Sequence, residues 1–242
     1  KSIKNNILFQ VKNLSKEYND PFLTDIKNIS FSLKEGEIFG IAGVAGNGQK
    51  ELMELLTGEN IDNIRGEVLF DNTNITNLPT KFRRELAIGF VPEDRLGHSA
   101  VPELSLSENI LLSQFAGNKF SKMGILNFEE IETYTKNVIS NFNVKTPNEL
   151  IYAKNLSGGN LQKFVIGREI LTNPKLLISV VFDCELAYFD WELFIAYLLN
   201  SSISFVFSLQ YRTNRGIKPL FPSMSFNTPL VQLSTNPSIT QS

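Results

Sequence analysis

The sequence predicts an α/β fold, on three observations. Short apolar or alternating runs between Ile7 and Asp71 read as strands. A glycine loop, Gly43 to Lys50, lies between one of those strands and a helical run. From Leu104 to Phe142 the apolar period becomes helical, ahead of one more helix and one more buried strand.

In chain order, "ILFQVKNL", "IKNISFSL", "GEIFGIAG" and "GEVLFD" are strands separated by Gly, Asn and Asp turns. Leu52, Leu55 and Leu56 recur at helical spacing, so Asn47 to Thr57 is a helix directly after the loop. A short helix is expected over Thr80 to Glu85. "LAIGFVPED" is then a buried strand that stops at Pro92. "SLSENILLSQF" and "NFEEIETYTKNVISNF" carry apolar residues three and four apart and are helices. Another helix starts at Ser157, whose hydroxyl is expected to cap it, and runs to about Leu171. Pro174 stops it, and "KLLISVV" follows as a strand. Beyond Ser179 charged residues thin out, Phe and Ser accumulate, and no clear caps or turns are visible.

A chain of 242 residues with 42% hydrophobic content supports a substantial core. A net charge of -2 without runs of either sign carries no nucleic-acid footprint. The single cysteine, Cys184, cannot form an internal disulfide, which suits a reducing compartment. The apolar stretch Val180 to Leu199 is long enough for a membrane span, but Asp183, Glu185, Asp190 and Glu192 break it. The chain begins at Lys1 without a leader, so it is expected to be a fragment.

Gly43, Gly46 and Gly48 let the backbone curl so that successive N–H groups and the positive end of a helix face an anion. The usual phosphate loop adds a lysine and a magnesium-binding hydroxyl. Here those places hold Gln49 and Lys50. Gln49 donates a hydrogen bond but supplies no charge. From these residues alone, a phosphate cradle and an ordinary strand-to-helix turn both stand. A second anion site, or simply an ordinary capped helix, is offered by "LSGGNLQKFVIGREI", where Ser157, Gly158, Gly159 and Asn160 open a helix.

These motifs together resemble the ATP-binding cassette (ABC) family, whose signature is Leu-Ser-Gly-Gly followed by a helix. The resemblance runs from residue 5 to about 178. It takes in Tyr18 at the place of an adenine-stacking aromatic, the loop Gly43 to Lys50, "VPEDR" at 91 to 95, "SLSENILL" at 105 to 112, and the signature helix. The lysine-free loop and "PEDR" look like the second nucleotide-binding half of tandem importers for simple sugars and nucleosides. The "GNGQ" spelling is closer to the nucleoside branch.

The resemblance implies a P-loop nucleotide-binding domain over 1–178, with an antiparallel β subdomain and a helical insertion at about 98–165. Residues 179–242 are expected to form a divergent tail, from a shifted reading frame or a corrupted gene end. It further implies ATP and Mg2+ as cofactors, with ATP lying between one half's glycine loop and the other half's signature. Tyr18, Gly43, Gly46, Asn47, Gly48, Gln49 and Lys50 would form a weakened nucleotide site. Ser157, Gly158, Gly159, Asn160 and Gln162 would face the partner's ATP, and Glu93 would sense nucleotide and contact the permease side.

No catalytic base and no metal ligand is assigned to this chain. Val180 and Val181 stand where a Walker B aspartate and glutamate would lie, and Asp183 and Glu185 are out of register for those roles. Partners implied are an upstream cassette half, two permease subunits and an external binding protein, at the cytosolic membrane face, with no nucleic acid. A soluble cassette ATPase outside transport and an inactive remnant remain alternatives.

Overall fold

The structure is a computed structural model that describes residues 6–44, 46–92, 94, 96–114, 119–182, 203–211 and 230–233. Two sheets organise it. β1 (Ile7–Lys16), β2 (Ile26–Lys34), β4 (Arg65–Phe70) and β5 (Thr73–Asn74) form an antiparallel sheet in the order β2-β1-β4-β5. β3 (Ile38–Val44), β6 (Ile88–Val91), β9 (Leu176–Phe182), β10 (Ser204–Tyr211) and β11 (Leu230–Leu233) form a parallel sheet in the order β11-β3-β10-β9-β6.

Period-2 alternation explains how this parallel sheet is covered on both faces. Leu176 and Ile178 of β9 and Val206 of β10 join a core with the antiparallel sheet and with α1 (Gln49–Thr57). Their neighbours Leu177 and Phe205 point the other way. They join Val91 and the helices α3 (Leu106–Gln114), α4 (Phe128–Asn141) and α5 (Gly158–Ile170). A hairpin of β7 (Ser121–Lys122) and β8 (Ile125–Leu126) sits between α3 and α4. Both faces are therefore apolar, which is why β9 reads as a continuous hydrophobic run.

The expected elements between Ile7 and Ile178 are present, with small shifts at their ends. The helix after the glycine loop begins at Gln49 rather than Asn47, because Gly48 is left-handed (φ 91°) and stands outside the helical turn. β10 and β11 were not anticipated. "SFVFSLQY" is a plain strand pattern, and β10 occupies the middle of the parallel sheet between β3 and β9. Its strand signal was obscured by the change in composition around it.

Two packing features fix the helices. α2 (Thr80–Glu85) carries Arg83, which is buried and donates five hydrogen bonds of 2.7–3.0 Å, all to backbone carbonyls: Leu55, Leu56, Ile75, Thr76 and Leu78. Leu55 and Leu56 belong to the last turn of α1, whose carbonyls lack helical partners. Burial pulls the Arg83 guanidinium down to about 10. In α5, Gly167 lies against the Phe142 ring so closely that an added Cβ would sit 2.5 Å from it. That contact lets α5 pack directly on the end of α4.

Candidate functional site

The glycine loop is assembled from two directions. β3 delivers Gly43, which is buried, and Gly46 and Gly48 both take left-handed conformations (φ 90° and 91°) that any other residue would adopt at a cost. The segment between β1 and β2 then ties the loop down. Thr24 Oγ1 donates to the Gly46 carbonyl at 2.9 Å, and the Thr24 N–H donates to Glu51 Oε1 in α1 at 3.1 Å. Thr24 and Glu51 were not singled out from the sequence. No local motif marks them, since their role appears only when the two segments meet.

Asn47 is half-buried, Gln49 is buried at 1% exposure, and Lys50 is exposed on the outer side of α1. A nucleotide phosphate fits this loop: an added Cβ on Gly46 would meet nothing within 4 Å, so there is open space beside a helix N-terminus. A magnesium ion does not fit it. The place of the metal-binding hydroxyl carries the cationic Lys50, which repels a divalent ion.

Tyr18 is held next to this loop. Its N–H donates to Asp25 Oδ1 at 3.0 Å, and Asp25 directly follows Thr24. The Lys16 ammonium lies 5.3 Å from the ring centroid, covering one face of the ring. Burial, with Glu54, Glu51 and Asp25 nearby, pushes the Tyr18 phenol up to about 12. Its hydroxyl is buried with no hydrogen-bond partner among the described residues.

The second site is the start of α5. Ser157 precedes the helix with extended backbone (ψ 152°), and its carbonyl accepts from the Leu161 N–H at 2.9 Å. The expected hydroxyl cap is absent. Instead Ser157 Oγ accepts from Asn160 Nδ2 at 2.9 Å, and Asn160 Oδ1 accepts from the Lys145 N–H at 2.9 Å. Asn160 competes successfully for the hydroxyl because its amide is also anchored across the gap to the segment after α4. The result is that the first-turn N–H groups of α5 keep their capacity for a ligand.

Ser157 and Gly158 are exposed, and Gly159 and Asn160 are half-buried. Gln162, further along α5, has a buried Oε1 without a hydrogen-bond donor among the described residues.

Glu93, Asp183 and Glu185 lie outside the described residues. Val180 and Val181 fall in β9, in register with Ser208 and Leu209 of β10. Among the described residues no cluster of His, Cys, Asp or Glu could hold a metal ion, and no helix is long and apolar enough to cross a membrane.

Comparison with known proteins separates family from fold. A sequence model of the ABC transporter family matches residues 26–179. The chain belongs to that family. Among curated relatives, the cassette is 42% identical over 155 residues to the guanosine import ATP-binding protein NupO of Bacillus subtilis (strain 168), covering 64% of this chain and 30% of that protein. It is 39% identical over 154 residues to the nucleoside import ATP-binding protein NupA of Lactococcus lactis subsp. cremoris, covering 63% and 30%.

It is also 36% identical over 173 residues to the xylose import ATP-binding protein XylG of Photobacterium profundum, covering 71% and 34%. The cassette thus spans about a third of the length of the curated relatives it matches. Among solved structures, the ADP conformation of an ATP-binding cassette of an ABC transporter superposes with a TM-score of 0.72 at 18% identity, covering 98% of this chain and 90% of that one. The ABC ATPase fold, with its antiparallel sheet and helical elements, extends over the described strands β10 and β11.

Proposed function

We propose that this chain is the second nucleotide-binding half of a tandem ABC importer subunit, driving uptake of a nucleoside or simple sugar by ATP hydrolysis. Its division of labour is unequal. The loop around Gly46 and Gly48 holds nucleotide weakly, because Gln49 and Lys50 replace the two residues that supply most of the electrostatic grip. Tyr18 would offer its ring to the base.

The start of α5 would close over the γ-phosphate of an ATP held on the partner half. Ser157, Gly158, Gly159 and Asn160 supply preorganised donors there, where charge develops during in-line attack by water. Gln162 and Glu93 complete the contact set. Magnesium would travel with the nucleotide on the partner's loop. Further partners are the permease subunits, contacting the helical part at about 98–165, and an external binding protein, which places the chain at the cytosolic membrane face. Residues 1–178 would constitute the cassette and 179–242 a divergent continuation of it.

One observation carries this reading: the exposed first turn of α5 keeps its N–H groups uncommitted, because the Ser157 hydroxyl is diverted to Asn160. ATP hydrolysis measured on this chain alone, and then with a cassette half that bears a lysine in its loop, tests it. Negligible turnover alone and robust turnover together is the expected result. Equal turnover in both would overturn the assignment.

A further inference from the structure

Away from both helix starts, α2, α3, α5 and the loop after β6 enclose a cavity of about 620 Å3 whose polar lining includes Lys81, Arg84, Ser99, Asn109, Ser113 and Arg168. Its charges do not balance. Arg84 Nη1 donates to Glu169 Oε2 at 2.9 Å, and Arg168 Nε donates to Oε1 of the same carboxylate at 3.1 Å, with Arg168 Nη2 ion-paired to that oxygen at 3.1 Å.

Glu169 is fully buried and both its oxygens are spent. Burial pushes its carboxyl upward, but Arg84 and Arg168 outweigh that and hold it below the usual range. Lys81, exposed and one turn before Arg84, forms no ion pair among the described residues; its ammonium stands 5.9 Å from the Phe82 ring. Three cations therefore line the cavity together with His98, whose Nε2 stands 3.1 Å from Glu59 Oε1, and the two guanidinium groups share a single carboxylate, Glu169.

The unmet groups are donors. Arg168 is almost wholly buried, and among the described residues its Nη1 and the Nε and Nη2 of Arg84 make no hydrogen bond. A smaller recess shares Arg84 and Ser113 with the cavity. It is lined also by Glu85 and by Gln114, whose Nε2 is buried with no acceptor among the described residues. Asn109 cannot serve as an acceptor wall for these groups, because its Oδ1 takes the Val101 N–H and its amide is committed to the carbonyls of Val101, Leu104 and Ser105. Forked guanidinium donors, one buried at Arg168 and one partly exposed at Arg84, suit a ligand with several acceptor oxygens and negative charge.

We propose that this cavity binds a phosphate group, either as inorganic phosphate or carried by a small metabolite whose remainder lies along Ala100, Val101 and Leu112. Bound there, the anion bridges α2 and α5 and relieves the repulsion between Arg84 and Arg168. It also ties both helices to α3. The inference does not depend on the transport reading.

The test uses the full isotope-labelled chain titrated with inorganic phosphate and, separately, with ribose phosphate, following backbone amide shifts. Saturable shifts at Lys81, Ser113 and Gln114 are expected, weakened about tenfold by Lys81→Gln and more by Ser113→Glu, while shifts at Gly46 and Gly48 stay as they are in the unsubstituted chain. Tighter binding of ribose phosphate identifies the carried form, and equal or weaker binding identifies the free ion as the ligand. A response confined to the glycine loop, or one that chloride reproduces at equal ionic strength, overturns the proposal.

Discussion

The starts of α1 and α5 are both glycine-rich helix N-termini, yet the chain treats them in opposite ways. Around α1 the loop is drawn inward: Gly48 and Gln49 are buried, and Thr24 reaches across to clamp Gly46 and Glu51. Around α5 the turn faces outward, with Ser157 and Gly158 exposed and the side chains of Ser157 and Asn160 occupied with each other and with Lys145. The same backbone physics thus yields a clamped loop in one place and an open set of donors in the other. An open set suits a phosphate that arrives on a different molecule.

The comparison breaks most directly at Gly158. Gly158→Asp places a carboxylate on the exposed turn without disturbing the core, and it should lower ATP turnover with the partner half by about 2.7–4 kcal/mol of transition-state stabilisation, as loss of a preorganised donor does elsewhere. Steady-state hydrolysis with unchanged circular dichroism is the check. An unaffected rate would mean that the outward turn of α5 meets no nucleotide.

Gln49→Lys sharpens the other side. Restoring a cation within the clamped loop should strengthen ATP binding to this chain by about 1.5–3 kcal/mol, the range for a hydrogen bond to a charged group. Calorimetric titration measures it. No gain would show that the buried place of Gln49 cannot present its side chain to a phosphate.

The smallest effect concerns Tyr18, beside the loop. Its phenol is held up to about 12, so the folded chain keeps a proton that the unfolded chain loses near the ordinary value of 10. Stability should therefore fall as pH rises from about 10 to about 12. Ultraviolet titration should find one late-ionising tyrosine that disappears in Tyr18→Phe.

Much of this contrast was legible in the residues. The helical spacing of Leu52, Leu55 and Leu56 and the Leu-Ser-Gly-Gly run placed both helices within a residue or two, because local pattern and tertiary packing agree there. The Ser157 cap was not legible correctly. A serine before a helix normally accepts an N–H, and only the position of Lys145, in the segment after α4, shows why Asn160 claims the hydroxyl. β10 was missed although "SFVFSLQY" alternates well, since its pairing with β3 and β9 is a long-range fact. The Thr24 clamp and the cation-lined cavity were out of reach for the same reason: each joins segments that are far apart in the chain.

Arg83 adds a mechanical consequence. Its guanidinium rivets the tail of α1 to the turn that leads into α2, and α2 carries Lys81 and Arg84. Losing that guanidinium would leave five backbone carbonyls without their donor and uncouple the helix that carries Lys81 and Arg84 from α1.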